Sequence, residues 1–89
     1  MRGNFVKMEL KEGTLVKSKA GRDKGKYMVA VSFDESHAYV CDGKERPLER
    51  PKKKNLRHLQ ITNKLIDKEK MANNRSLKKA LAALTDAQL

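Results

Sequence analysis

The sequence predicts a small all-β barrel of about five strands, followed by a short helical C-terminal tail. Short segments of alternating apolar and polar residues fill the first two thirds of the chain, and glycine-bearing polar turns separate them. About five short strands joined by tight turns favour a barrel, because closing the sheet removes edges that so small a domain cannot cover. From residue 64 onward Lys, Ala and Leu replace the glycines and β-branched residues. We therefore expect a barrel over residues 1–62 and a basic helical tail over residues 63–89.

The strand over residues 27–33 has the clearest alternation. Its odd-numbered residues, from Tyr27 to Phe33, are expected on one buried face and its even-numbered residues on the other. Gly25 is expected to take a left-handed conformation and close the preceding hairpin, and Asp42-Gly43 predicts a two-residue type I′ hairpin. Pro47 cannot donate to a ladder, so its strand is expected at an edge. The predicted strands cover residues 6–10, 14–18, 27–33, 37–41, 44–49 and 56–61.

The tail carries the apolar stripe of an amphipathic helix. Leu77, Leu81 and Leu84 lie at helical spacing, Ser76 is the predicted N-cap, and Asn73-Asn74 is the predicted break before it. An isolated helix of about a dozen residues is marginal in water. We therefore expect the leucines to dock on the barrel, on a second copy of the chain, or on a partner.

Composition and charge point to a polyanionic partner. The 89 residues include 21 Lys and Arg against 11 Asp and Glu, which gives a formal net charge of +10. Nucleic acid is the first expectation for such a balance and anionic lipid the second. The chain has no apolar run of the ~18–20 residues that a bilayer requires. Without a signal-type apolar region and with one cysteine, Cys41, it fits a reducing cytoplasm.

The sequence gives little indication of catalysis, metal or cofactor. His37 and His58 lack a Cys or carboxylate partner at a readable spacing, and Cys41 lies in a predicted strand, where it is expected as a small buried apolar residue. No glycine-rich phosphate-binding string is present. We therefore expect a protein that is not an enzyme and holds no metal or cofactor.

Two basic segments are the candidate nucleic-acid contacts. Lysine and arginine suit phosphate oxygens, and glycines let backbone approach a ligand closely. An ordinary solvated hairpin explains the first segment equally well. Tyr27 and Tyr39 are weaker candidates for base stacking. The first segment contributes Lys17, Lys19, Arg22, Lys24 and Lys26, and the second contributes Arg50, Lys52, Lys53, Lys54, Arg57 and His58.

Residues 13–31, with their Ala-Gly-Arg-Asp-Lys-Gly-Lys core, resemble a KOW motif. Together with the later Arg-Pro-Lys-Lys-Lys-Asn-Leu-Arg-His-Leu block at residues 50–59, they are similar to the KOW-bearing large-subunit ribosomal proteins of the fourteen-e type, over residues 8–62. The resemblance implies an SH3-like barrel of about five strands that packs on RNA, usually ribosomal RNA. It also implies that Gly21 and Gly25 are the turn glycines and that both basic segments contact RNA.

The sequence and its resemblance together predict a non-catalytic RNA-binding protein. We expect it to contact structured, ribosomal RNA, as a component of the ribosome or as a ribosome-associated factor, with ribosomal proteins as neighbours. The alternative is a KOW or SH3-like protein-interaction module in transcription or translation complexes, with Leu77, Leu81 and Leu84 engaging the partner. Peripheral membrane binding through the tail is weaker, because the apolar face is modest and lacks Trp or Phe anchors.

Overall fold

Five antiparallel strands in one sheet and a C-terminal helix make up most of the structure, a computed structural model that describes residues 10–86. The predicted strand at residues 6–10 lies outside this range except for Leu10. Two 3₁₀ helices, Leu56–His58 and Lys68–Met71, precede the fifth strand and the α-helix. The elements are β1 Thr14–Ser18, β2 Tyr27–Phe33, β3 His37–Cys41, β4 Lys52–Asn55, β5 Leu59–Leu65 and α1 Asn74–Asp86.

The sheet has the strand order β4-β3-β2-β1-β5, so β5 returns to pair with β1. The sheet is not closed, so the predicted closed barrel is not observed. The strand order is nevertheless compatible with a small barrel-like fold. The Lys54 ammonium on edge strand β4 reaches the Ser18 hydroxyl on β1. Three strand spacings of about 4.8 Å separate β4 from β1 in a flat sheet. Because that is beyond the reach of a side chain, the sheet must curl strongly.

Both faces of the central strands are buried, and each has its own apolar cluster. The inner cluster fills the curled sheet, whereas the helix-side cluster lies between the sheet and α1. The inner cluster contains Leu10, Val16, Met28, Ala30, Ala38, Val40 and Leu59. The helix-side cluster contains Leu15, Val29, Cys41, Ile66, Leu77 and Leu81. Residues on β1 and β2 therefore alternate between two cores rather than between core and solvent.

The fourth strand is not where the sequence placed it. Residues 44–49 lie in a loop, and the strand that pairs with β3 is Lys52–Asn55. The Asp42 carboxylate accepts hydrogen bonds from the backbone N–H groups of Lys44 and Arg46. The chain therefore leaves β3 through a side-chain-stabilised turn, and the predicted two-residue hairpin is wrong.

Phe33 does not continue the buried face predicted for it. The pairing of β2 with β3 shifts register between Ala30 and Ser32. A bulge of this kind moves the following residues to the opposite face. Phe33 consequently lies opposite Ala38 of the inner cluster, at the end of its strand, and is 41% exposed.

The helix α1 docks on the sheet through two of its three leucines. Leu77 and Leu81 are buried in the helix-side cluster, and Leu84 packs against it in part. Of the three alternatives for the stripe, the structure therefore shows docking on the sheet. The predicted N-cap is wrong: the Asn73 carboxamide accepts from the N–H of Ser76, which makes Asn73 the cap.

Candidate nucleic-acid interface

Two cation-bearing loops leave the same end of the sheet. The β1–β2 loop (residues 19–26) and the β3–β4 loop (residues 42–51) lie side by side, because Val29 near the start of β2 pairs with Cys41 at the end of β3. The backbone N–H of Lys19 donates to the His58 carbonyl at 2.7 Å, which brings His58 to this end as well. We call the two loops, Lys52 and His58 the basic end.

Backbone hydrogen bonds fix the shape of the β1–β2 loop. The N–H of Gly25 donates to the Ser18 carbonyl at 2.8 Å, and the N–H of Lys26 donates to the Asp23 carbonyl at 2.8 Å. Gly21 and Gly25 have φ of +81° and +90°, a region that L side chains rarely adopt. The predicted left-handed Gly25 is confirmed, so the sequence of this loop encodes one compact turn.

Lysines of β4 join the second basic segment to the first. The Lys54 side chain is 7% exposed, and its ammonium donates to the Ser18 hydroxyl and the Ala20 carbonyl, both at 3.0 Å. The Lys52 ammonium lies 3.3 Å from the Asp23 carboxylate. These contacts bring Lys52 and Lys54 of the second basic segment against the β1–β2 loop of the first.

The Asp23 carboxylate is the negative centre of this junction. Its side chain is only 9% exposed. Burial raises the pKa of Asp23, but the hydrogen bond from Lys52 and the charges of Lys52, Lys54 and Arg46 outweigh it and hold that pKa below its usual value. Asp23 therefore stays ionised and balances part of the positive charge gathered here.

The three consecutive lysines do not point the same way. Successive residues of a strand face opposite sides of the sheet. Lys52 and Lys54 lie opposite Val40 and Ala38 of the inner cluster, whereas Lys53 lies opposite Tyr39 and is exposed. The lysine run consequently offers one outward cation, not three.

Other predicted contact residues divide into engaged and exposed cations. The Lys17 ammonium lies 5.3 Å from the centroid of the Tyr27 ring, a cation–π distance. Lys26 forms an ion pair with Glu45, and the hydrogen bond in this pair raises the pKa of Lys26. Lys26 is exposed, and the other exposed members of the predicted set are Lys19, Arg22, Lys24, Arg50, Lys53, Arg57 and His58.

Sequence reasoning missed cations that only the fold brings to the basic end. A cleft of about 310 Å³ between the loops and α1 is lined in part by Lys44 and Lys78, which are 34 positions apart in the chain. The charge of Arg46 also acts on Asp23. No local spacing links Lys44 to Lys78, so no sequence signal could have found this pair.

Cys41 is a free cysteine whose side chain is buried. Burial, together with the charges of Asp42 and Glu49, raises the pKa of the Cys41 thiol to about 11. Among residues 10–86, no group of three or more His, Cys, Asp or Glu side chains is placed to hold a metal ion. Within the same range, no helix is both long and apolar enough to cross a membrane.

Comparisons with known proteins do not assign a family. No protein-family model matches the chain, and no curated protein is significantly similar to it.

Proposed function

We propose that this is a non-catalytic RNA-binding protein whose basic end contacts structured RNA, with ribosomal RNA as the setting that the KOW resemblance favours. The observation that carries the proposal is the junction of the two basic segments, made by Lys54 with Ser18 and Ala20 and by Lys52 with Asp23. Because of it, the β1–β2 loop, which carries exposed cations, lies against the strand that follows Arg50. The protein acts as a ribosome component or as a ribosome-associated factor in the cytoplasm.

The strand arrangement supports the barrel type in this proposal. Five antiparallel strands, strong curling and a 3₁₀ helix between β4 and β5 are compatible with an SH3-like barrel of the KOW type. The glycine turn of the resembling motif corresponds to the β1–β2 loop, with Gly21 and Gly25 at positive φ. The loop that the resemblance assigns to RNA is thus the one that carries Lys19, Arg22 and Lys24.

The exposed cations suit phosphate contact and recognition of shape. Contacts with phosphate oxygens give affinity and orientation without reading the base sequence. Folded RNA presents its backbone in a geometry that a rigid surface can match. We therefore expect affinity for structured RNA that falls steeply with salt, because bound cations release counterions from the RNA.

The protein-interaction alternative relied on the leucine stripe of α1 as its contact surface. It required Leu77, Leu81 and Leu84 to engage a partner, and the first two are buried against the sheet. No other observation in the described chain favours it. RNA binding is the function that the arrangement of charges supports better.

A double substitution at the basic end tests the proposal. Arg22→Ala/Lys24→Ala removes two exposed cations from the β1–β2 loop. We expect weaker binding to fragments of large-subunit ribosomal RNA, and a slope of log affinity against log salt that is shallower by about two. Fluorescence titrations at several salt concentrations measure both.

Lys68→Ala/Lys70→Ala is the matched control. It removes the same charge from exposed residues that follow the opposite end of the sheet, where β5 ends at Leu65 beside Thr14. We expect a smaller change in affinity and slope. Equal effects of the two double variants would show that binding depends on net charge alone and not on the basic end. No binding of RNA by the unaltered chain would overturn the proposed function.

A further inference from the structure

We propose that Lys54 is a positioning residue, which holds the β1–β2 loop in its RNA-binding shape and does not itself contact RNA. This inference rests on the proposed function, since it assigns a role within the same surface. It reverses the sequence prediction for Lys54, which counted its charge as one more phosphate contact.

The surroundings of the Lys54 ammonium satisfy a buried charge. Its partners are the Ser18 hydroxyl, the Ala20 carbonyl and, at 3.9 Å, the Asp23 carboxylate. The Ser18 hydroxyl also donates to the Ala20 carbonyl at 3.0 Å. A buried cation is tolerated when it is paired and hydrogen-bonded in this way. The hydrogen bonds of this ammonium are therefore already made within the protein. A phosphate could reach it only if the loop moved.

The contacts alternate along the loop with the exposed cations. Ser18, Ala20 and Asp23 face Lys54. Lys19 and Arg22 lie between them and Lys24 follows Asp23, and all three are exposed. The Lys54 ammonium thus holds the carbonyl of Ala20 and the carboxylate of Asp23 on the inner side of the loop, while the neighbouring cations are exposed to solvent.

Two features make Lys54 the central contact of this arrangement. It stands on edge strand β4, so it ties the loop to an element that the β1–β2 hairpin does not itself pair with. A side chain added at Gly21 would lie 3.8 Å from its ammonium, so the turn passes close over it. A loop fixed before binding loses less conformational freedom when RNA binds, which increases affinity.

Three variants test the positioning role. Lys54→Met removes the ammonium, Ser18→Ala removes one of its partners without changing any charge, and Lys53→Met removes an exposed charge from the next position. RNA affinity over a range of salt concentrations and amide hydrogen exchange of residues 19–25 are measured for each. Ser18→Ala retains the ammonium and its bond to Ala20, so it remains informative if Lys54→Met fails to fold.

Positioning predicts a pattern that phosphate contact does not. Ser18→Ala is expected to weaken RNA binding roughly threefold by loss of a buried hydrogen bond, with an unchanged salt slope and faster exchange in the loop. Lys54→Met is expected to weaken binding more and to speed exchange further. Lys53→Met is expected to leave loop exchange unchanged and to lower the salt slope by about one.

Other outcomes overturn the inference. Faster loop exchange in Ser18→Ala or Lys54→Met with unchanged RNA affinity would make Lys54 a structural residue only. A change in Lys54→Met equal to that in Lys53→Met, with unaltered exchange, would make it a phosphate contact. If the unaltered chain binds no RNA, the proposed function fails separately, and unchanged exchange in Lys54→Met would then also disprove the anchoring of the loop.

Discussion

At the scale of single residues, two features of the structure require glycine at position 43. Its φ is +80°, a conformation that L side chains rarely adopt. A Cβ at this position would also lie 2.5 Å from the Asn74 carbonyl oxygen and 3.2 Å from the Lys78 nitrogen, both in the backbone of α1. The β3–β4 loop therefore approaches the helix as closely as it does because no side chain separates them.

Gly43→Ala is expected to destabilise the protein by more than the backbone conformation alone explains. The conformational strain costs about 1–2 kcal/mol, and displacement of α1 adds to it because the nearest atoms are backbone. Urea unfolding followed by circular dichroism gives the loss in free energy of unfolding.

Gly25→Ala is the matched control for this substitution. Gly25 has a similar φ of +90°, but a Cβ there meets nothing within 4 Å. Its loss of stability should therefore reflect the backbone conformation alone. Equal losses for the two alanine variants would show that Gly43 does not need its close approach to the helix.

At the scale of elements, α1 is part of the core rather than an appendage. Leu77 is fully buried, in one cluster with Leu15 of β1 and Val29 of β2. The helix begins at a cap made by Asn73, and the N–H of Leu48 donates to the Asn74 carboxamide at 2.7 Å. Packing against the sheet thus stabilises a helix that would be marginal alone.

Leu77→Ala tests how much the docked helix contributes. Truncating a fully buried leucine costs about 2–5 kcal/mol, because it removes apolar contacts and leaves a cavity. We expect a loss in this range in the free energy of unfolding. Leu65→Ala is the control of the same residue type, since Leu65 is 52% exposed and should lose much less. Similar losses at the two positions would contradict the packing of α1 on the sheet.

The elements that the sequence predicts well are those whose local pattern agrees with their packing. The segments 14–18, 27–33 and 37–41 all contain strands, because alternating β-prone residues suit a sheet buried on both faces. The fourth strand was misplaced because Lys52–Asn55 consists of residues that are depleted in strands. It forms a strand because its backbone pairs with β3 and Lys54 finds partners in the β1–β2 loop.

The candidate site was predictable by residue type but not by role. Charge and glycines identified both basic segments. Whether a lysine is buried or exposed depends in part on contacts between distant elements, as for Lys54 with Ser18. It also depends on which face of the sheet the residue points to, as for Lys53. The face on which Phe33 lies was mispredicted because a bulge shifts the strand register, and no local pattern signals that bulge.

At the scale of the whole molecule, a few carboxylates restrain a large positive charge. The net charge of +10 on 89 residues favours expansion through self-repulsion. Asp23 offsets it between β4 and the β1–β2 loop. Asp34 accepts backbone hydrogen bonds from Ser36 and His37, which lower its pKa, and the hydrogen bond from Asn74 lowers the pKa of Glu49. These carboxylates interact more favourably in the folded chain than in the unfolded chain.

The protein is therefore expected to lose stability in acid. A carboxyl group whose folded pKa lies below its unfolded value of about 4 contributes stability above that value, and the contribution is lost as the pH falls through the folded pKa. The free energy of unfolding should stay nearly constant from pH 7 to about 5 and fall below about pH 4. Urea unfolding across this range measures this free energy.

Asp23→Asn should show a shallower acid dependence of the free energy of unfolding, whereas Glu35→Gln controls for the same change in net charge at an exposed position. A stability that rises or stays constant below pH 4 would contradict the lowered pKa values of Asp23, Asp34 and Glu49.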